Sequence, residues 1–454
     1  MAWCYPSGVS SSREFIIIGA GLTGLAAASV LGERATVLER TGQPGGLVRC
    51  ARIGEYWFDL VIHLLYFQDP STEARIRSLL GNVLAPCSPQ VWVETTAGTC
   101  RFPIQMHLHG LTPEVRARIL NEMAQLTFGP PTVEPTTIEE NFLSAFGQTL
   151  CELFLLPYNR KMWKRPLSSI THRGLSWNVE RPDFAAVLRG ALEPDHVGTA
   201  YNSRGNYPRP EACAPVRGME VVSRALAERA VDLRLNSEVT GIDAAERTIH
   251  LGHTSIRFER RLLSTMPLPR LVELCRETPQ SLRDRMAKLR RNRVISVFVA
   301  LEGPRPTDVG HWRYFADESV CFTRLILMHE FDPGMAPASG WGLLAEVSQC
   351  SEDPFGDPSA LCERAIADAR RVGVIQGTDR VLESRAEIVD PAYVVLGEGD
   401  QEAINHAMEF LSGFGIDCRG RYGMWKYSGM SQCLREGFEW ADGMVAHGQS
   451  GSAP

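Results

Sequence analysis

Three stretches of this chain carry residue types at spacings that suit chemistry. The first is Gly19-Ala20-Gly21-Leu22-Thr23-Gly24, with Glu39 twenty residues after Gly19. In such a turn the first glycine makes a tight bend, the second admits a pyrophosphate to the backbone, and the third lets a helix pack closely on a strand. An acid at the position of Glu39 accepts hydrogen bonds from ribose hydroxyls. The second stretch is Gln43-Pro44-Gly45-Gly46-Leu47. A second glycine pair so soon after the acid suits a long cofactor that needs close backbone on two sides, which favours FAD over NAD. A plain Pro-Gly turn is the alternative reading. The third is Pro157-Tyr158-Asn159-Arg160-Lys161-Met162-Trp163-Lys164-Arg165-Pro166-Leu167. Its crowded aromatic, amide and basic groups fit a pocket for a polar, anionic ligand, or a solvated basic face with one anchoring tryptophan.

The elements that must position these residues follow from the pattern. The apolar run Phe15–Ile18 feeds the first glycine turn as a buried strand, a small-residue helix follows, and Ala35–Leu38 forms the next strand. The helix points its N-terminal amides at the phosphates. Tyr56–Asp59 reads as a strand, and Trp92–Glu94 with Cys100–Pro103 as a hairpin around Ala97-Gly98. From Thr112 to Leu192 the pattern is helical, with starts at Pro113 and Thr137. Val231–Val239 alternates as a strand, Ile242-Asp243 enters a hairpin near Arg247, and Arg261–Pro267 is a strand ending in small residues. Further strands are expected at 294–300, 312–315, 322–327 and 342–347, and a last helix at 431–444. In chains of this kind a helix start in that late position commonly lies under the flavin ring, where its dipole stabilises the anionic form.

Composition excludes several classes. At 454 residues the chain exceeds one ordinary core, so intertwined domains are expected. The net charge of -6 argues against a nucleic-acid surface. The apolar stretch Phe15–Leu31 is broken by glycines and lacks a basic flank, so neither a membrane span nor a signal peptide is expected. Twelve cysteines without a Cys-x-x-Cys pair read as reduced thiols of a cytoplasmic protein. No metal site or hydrolytic triad is visible, and His63 reads as a flavin-loop residue rather than a general base.

Taken together, the motifs resemble those of the UDP-galactopyranose mutases, in particular the eukaryotic-type branch and its bacterial relatives. More distantly they resemble the protoporphyrinogen oxidase and amine oxidase superfamily. The carriers are the first glycine turn, Phe58-Asp59-x-x-x-His63, Phe102-Pro103-Ile104-Gln105, Tyr158-Asn159-x-Lys161-x-Trp163, Trp312-x-Tyr314-Phe315, Leu344-x-Glu346-Val347-Ser348 and Gly420-Arg421-x-Gly423-x-Trp425-Lys426-Tyr427. They run in order over about Glu14 to Asp442. In that family a reduced flavin attacks the anomeric carbon of a nucleotide sugar through N5, and the sugar ring reopens and recloses with no net redox change.

The resemblance assigns roles residue by residue. Arg181, Arg324, Tyr393 and Tyr427 match groups that hold the diphosphate, and His63 lies in the loop over the flavin. Phe102, Gln105, Asn159, Trp163 and Asn202 match residues around the sugar and nucleotide. The expected cofactor set is Gly19, Gly21, Gly24, Glu39, Arg40, Gly45, Gly46, Leu47, Asp59, Val239, Thr265, Arg421 and Met430. An external NADH or NADPH would be the reductant.

Four departures stand out. Val61-Ile62 replaces the family's glycine pair before His63, Pro215-Val216-Arg217-Gly218 replaces another, Val394 replaces a proline, and Ser428–Gln432 lacks the usual acid. Two β-branched residues stiffen the loop over the flavin. The fold is therefore expected to persist while the substrate diverges. The expected class is α/β: a discontinuous Rossmann-type FAD domain (14–95, 205–270, 385–445), a helical insert (105–200) and a mixed-sheet substrate domain (285–384), with flexible termini (1–13, 446–454). The expected activity is mutase-like chemistry on a small nucleotide-linked sugar. A net oxidase or desaturase, and a flavin-binding protein with little turnover, remain open alternatives.

Overall fold

The structure, a computed structural model, describes residues 11–61, 64–130, 133–172, 179, 181–196, 198 and 204–450. Its first sheet has seven strands. In order they are Gly241–Asp243, Thr248–Leu251, Thr254–Ser264, Ser11–Ile18, Ala35–Leu38 and Asp232–Arg234, with Ile416–Cys418 added to the far half of Thr254–Ser264. Strand Ser11–Ile18 runs parallel to both neighbours, as a continuous apolar run covered on both faces should. Three parallel strands end at Ile18, Leu38 and Ser264, and the residues that follow them are Gly19, Glu39 and Thr265. The carboxyl edge of an open α/β sheet is where ligands bind, so one edge gathers residues from three distant stretches.

The second sheet also has seven strands, in the order Arg380–Val395, Arg290–Glu302, Gly340–Cys350, Arg324–Leu327, Trp312–Phe315, Val91–Thr95 and Gly98–Arg101. All pairs are antiparallel except Trp312–Phe315 with Val91–Thr95. Helices Pro113–Phe128, Ile138–Phe146, Leu156–Trp163 and Phe184–Leu192 build the helical block around Phe142, Phe146 and Trp163. Thr137 caps its helix reciprocally with Glu140, as the sequence indicates. The architecture is the Rossmann-like α/β fold with mixed sheets that the sequence implies.

Several expected boundaries move. Strand pairing carries the 91–101 hairpin and residues 385–395 into the second sheet, and Gly205–Pro208 pairs with Leu84–Cys87 outside both large sheets. The strand expected at Val231–Val239 stops at Arg234, because Asn236 takes φ +52 and turns its amide onto the Thr41 carbonyl at 3.0 Å. Residues 11–13 are not a loose end, since they pair with Ile256, Arg257 and Phe258. The last helix spans Met430–Ser450, beyond the expected stop.

Asp59 is a second correction. Its side chain does not line the large cavity at the carboxyl edge of the first sheet, and so does not reach a cofactor there. It is fully buried, where its carboxylate accepts hydrogen bonds from the Met219 amide (2.9 Å), the Tyr207 hydroxyl (2.8 Å) and the Cys50 thiol (3.2 Å). These bonds tie strand Tyr56–Asp59 to the turn at Gly218, where a Cβ would come within 2.5 Å of Asp59 Oδ1. Burial lifts the carboxyl to about 6, against the lowering effect of the three donors. Its folded value thus lies above the unfolded one, so its stabilising contribution is complete below about pH 4 and is lost as pH rises through about 6. For a shift from 3.8 to about 6 the full effect is about 3 kcal/mol. Denaturant titrations of wild type and Asp59→Asn at pH 4 and pH 7 should show the stability difference moving toward the variant by up to this amount at the higher pH. A difference independent of pH would contradict the assignment.

Candidate functional site

A single cavity of about 1530 Å³ runs from the carboxyl edge of the first sheet to the face of the second. Ligand pockets for one small molecule occupy about 300–1,000 Å³, so this one has room for a long cofactor and a second molecule beside it. Its near end is a glycine cradle. Gly19 takes φ +100, and a Cβ there would meet Thr265 Oγ1 at 2.3 Å. A Cβ at Gly45 would meet the Val48 carbonyl at 2.7 Å, and one at Gly46 would come within 3.2 Å of Gly21 Cα. At Gly21 a Cβ would meet nothing within 4 Å, so that backbone faces open cavity. Gly24 does not line the cavity. Its added Cβ would lie 2.0 Å from the Gly19 carbonyl, the close packing asked of a third glycine.

Glu39 is held in place by the Ala20 amide (2.9 Å) on one oxygen and by the Thr41 amide (2.9 Å) and hydroxyl (2.8 Å) on the other. Arg40, Leu47, Val239, Thr265 and Met430 line the same arm. Helices Leu22–Leu31 and Met430–Ser450 both present their N-termini to it, through Leu22-Thr23 and through Gly429–Cys433. Two sets of unpaired helix amides facing one cavity favour an anionic group between them. The backbone cradle, the open face at Gly21 and the fixed carboxylate therefore fit a dinucleotide.

The far end is built on one row across three strands. Tyr314 pairs with Arg324, and Arg324 pairs with Glu346. Arg324 Nε donates to the Glu346 carboxylate, which is 3% exposed. Burial works against the Arg324 charge, but Glu346 and the phenols of Tyr393, Tyr314 and Tyr158 more than offset it, raising its pKa well above the ordinary value. Burial likewise lifts the Tyr158, Tyr314 and Tyr393 hydroxyls, so all three stay protonated donors. Aromatic packing fixes them: Tyr158 stacks on Phe154 (5.2 Å), and Tyr314 meets Tyr158 edge-on (5.3 Å) and Phe102 at 5.2 Å.

Arg421 joins the two ends. Its guanidinium lies over the rings of Tyr427 (4.6 Å), Tyr393 (5.4 Å) and Tyr422 (5.7 Å). Nη2 donates to the Ala392 carbonyl at 2.7 Å on the second sheet, and Nη1 to the Ser428 carbonyl at 3.3 Å just before the last helix. Among the described residues it makes no ion pair, and its buried Nε has no partner. Burial opposes its charge, but the phenols of Tyr422, Tyr427 and Tyr393 more than offset this and its pKa lies above the usual value. At this end of the cavity Arg324 is therefore already neutralised by a carboxylate and Arg421 is not.

Not every expected residue is brought here. Phe102, Gln105, Tyr393 and Tyr427 line the cavity. Asn159 does too, but its amide donates to the Leu155 carbonyl (2.8 Å) and accepts from Trp163 Nε1 (3.2 Å). Trp163 stands behind the wall, edge-on to Tyr393 at 5.9 Å, so it supports the wall rather than touching a ligand. Arg181 is exposed, 3.5 Å from the Thr127 hydroxyl, and does not line the cavity. It precedes the helix capped by Asp183, which turns it outward onto the end of helix Pro113–Phe128. His63 and Asn202 lie outside the described residues. The sequence pointed to the stretch around Tyr158 as pocket-forming, but gave no site role to Tyr314, Tyr422 or Glu346. The missing signal was strand register, which alone shows Tyr314, Arg324 and Glu346 as one row.

The comparisons with known proteins agree with this layout. Residues 17–81 match a family model described as an NAD(P)-binding Rossmann-like domain. Among solved structures, a reduced UDP-galactopyranose mutase is similar over 96% of both chains, at 23% identity and a TM-score of 0.87. Cyclohexylamine oxidase from Brevibacterium oxydans IH-35A is similar over 96% of this chain and 99% of its own, at 15% identity and TM-score 0.65. A CLA-producing fatty acid isomerase from P. acnes covers 96% and 99%, at 14% identity and TM-score 0.61. At these identities the likeness is one of fold, and the fold serves more than one chemistry. No described helix is long and apolar enough to cross a membrane. No group of His, Cys, Asp and Glu among the described residues could hold a metal.

Removing Glu346 alone would leave Arg324 charged, buried and unpaired. Glu346→Ala should cost about 3–5 kcal/mol in denaturant unfolding, and the double change Glu346→Leu with Arg324→Met clearly less. Equal losses would show that the pair is not the source of the cost.

Proposed function

We propose that this chain is an FAD-dependent enzyme of the UDP-galactopyranose mutase type, acting on a nucleotide-linked sugar. The observation that carries the reading is the continuity of one large cavity from the glycine cradle to the Arg324, Tyr393, Tyr427 and Arg421 cluster. A flavin, when bound and reduced, supplies a nucleophilic ring for covalent catalysis without net redox change. The chain's own residues do the rest. The glycine cradle and the two helix N-termini hold the cofactor pyrophosphate, and Glu39 orients its ribose. Arg324 and the hydroxyls of Tyr393 and Tyr427 hold the departing and returning diphosphate, a job suited to charge-assisted hydrogen bonds in a dry site. Phe102, Tyr158 and Tyr314 enclose the sugar and keep water out. NADH or NADPH is the external reductant in this reading.

The test is incubation of the dithionite-reduced protein, loaded with FAD, with UDP-galactopyranose and a panel of other nucleotide sugars. A furanose product from at least one of them, absent without reductant, is expected. Arg324→Lys should lower kcat/KM by about 10²–10³-fold, because an ammonium cannot replace a fixed fork at the developing charge. No ring isomer from any member of the panel would overturn the reading.

One observation favours a second reading, a net oxidoreductase. Val61 lines the cavity where the mutases carry glycine, and Arg181 stands outside it. An apolar wall at Val61 with one fewer cation suits a less charged substrate. Oxygen consumption with an amine or another reduced substrate, together with no ring isomer, would select it.

A further inference from the structure

A second, smaller cavity of about 300 Å³ lies against the outside of the main one, with Leu60 and Arg49 in the wall they share. Three arginines line it, Arg49, Arg52 and Arg385, against one acidic residue, Glu387. The balance is two positive charges, in a chain whose net charge is -6. Arg385 is already paired with Glu387 at 3.0 Å. Arg49 and Arg52 have no ion pair among the described residues.

Both are nonetheless held in place. Arg49 Nε donates to the Gly46 carbonyl at 2.8 Å. Arg52 Nε donates to the Gly54 carbonyl at 2.9 Å, and its guanidinium lies 4.8 Å from the Trp57 ring. Among the described residues these two side chains donate hydrogen bonds only through Nε, which leaves their terminal nitrogens available to a ligand. Two oriented forks without a counter-charge, in a concave polar pocket, match a small dianion. A carboxylate would neutralise one charge and leave the other. A phosphate monoester carries about -1.5 to -2 at neutral pH and offers three acceptor oxygens, which pairs well with planar guanidinium forks.

We propose that this pocket binds a phosphate monoester, separately from the ligands of the main cavity. The group has two possible sources, free phosphate or the 2′-phosphate of a nucleotide such as the one that distinguishes NADPH from NADH. The proposal does not depend on the reaction assigned to the main cavity.

The experiment is calorimetric titration of the full chain with inorganic phosphate, adenosine 2′-monophosphate and adenosine, in wild type and in an Arg52→Gln, Arg385→Gln double variant. Neither substituted side chain lines the main cavity. Wild type should bind the two phosphates and not adenosine, with affinity falling as salt rises. The double variant should bind them at least about tenfold more weakly, while its affinity for UDP is unchanged. Tighter binding of the nucleotide than of phosphate would support the proposal and identify the 2′-phosphate as the source. Equal binding would support it with free phosphate as the source. Phosphate binding that persists undiminished in the double variant belongs to the main cavity and overturns the proposal, as does no binding in wild type. Arg52→Gln alone, at an exposed side chain, decides the matter if the double variant does not fold. UDP binding reports the main cavity separately, so a failure there is distinguishable from a failure here.

Discussion

The contact on which the rest depends is the close crossing of the first helix and the last. Gly437 lies so near the first helix that a Cβ on it would sit 2.2 Å from the Thr23 carbonyl, and Gly24 is equally tight against the Gly19 turn. Thr23 Oγ1 then donates to the Cys433 carbonyl at 3.0 Å, and Trp440 meets Phe15 edge-on at 5.9 Å. Residues more than 400 apart in sequence are thereby fixed to one another. Both helices reach the cavity with their N-termini because they share this contact; a side chain at Gly437 would push the helices apart, and one at Gly24 would push the first helix off the Gly19 turn.

The far end obeys a different constraint, cross-strand register. Because strand partners sit opposite each other on one face, Tyr314, Arg324 and Glu346 form a row without any loop to place them. Burying an arginine is costly unless a carboxylate accompanies it, and Glu346 supplies one from the neighbouring strand. Arg421 solves the same problem with three aromatic faces and two carbonyls. One carbonyl partner, Ala392, is on the second sheet and the other, Ser428, just precedes the last helix, so it also couples the two ends of the cavity.

Local chemistry was legible in the sequence, and pairing was not. The glycine turn, the second glycine pair and the Thr137 cap are patterns within a few residues, and Glu39 lies at a fixed distance of twenty residues from Gly19 within one strand–helix–strand unit. The row through Arg324 required knowing which strands pair, and the 91–101 hairpin joins the second sheet by a partner about 220 residues away. Asp59 is expected at the cofactor through the motif Phe58-Asp59-x-x-x-His63. In the fold its side chain turns inward to Tyr207 and Met219. Asn159 and Trp163 were found as a pair, but at helical i,i+4 spacing they satisfy each other rather than a ligand. Arg181 matched by motif and ends up on the surface, where only tertiary context could have placed it.

The central claim is that the cradle and the Arg324 cluster are two ends of one site, the first for the flavin and the second for a nucleotide diphosphate. Titrating UDP into the FAD-loaded protein while recording its visible flavin spectrum tests this most directly. The account predicts a saturable spectral change in wild type that is absent in Arg324→Met while flavin content is retained. A spectrum indifferent to UDP in the flavin-loaded wild type, or one that responds equally in the variant, would contradict it.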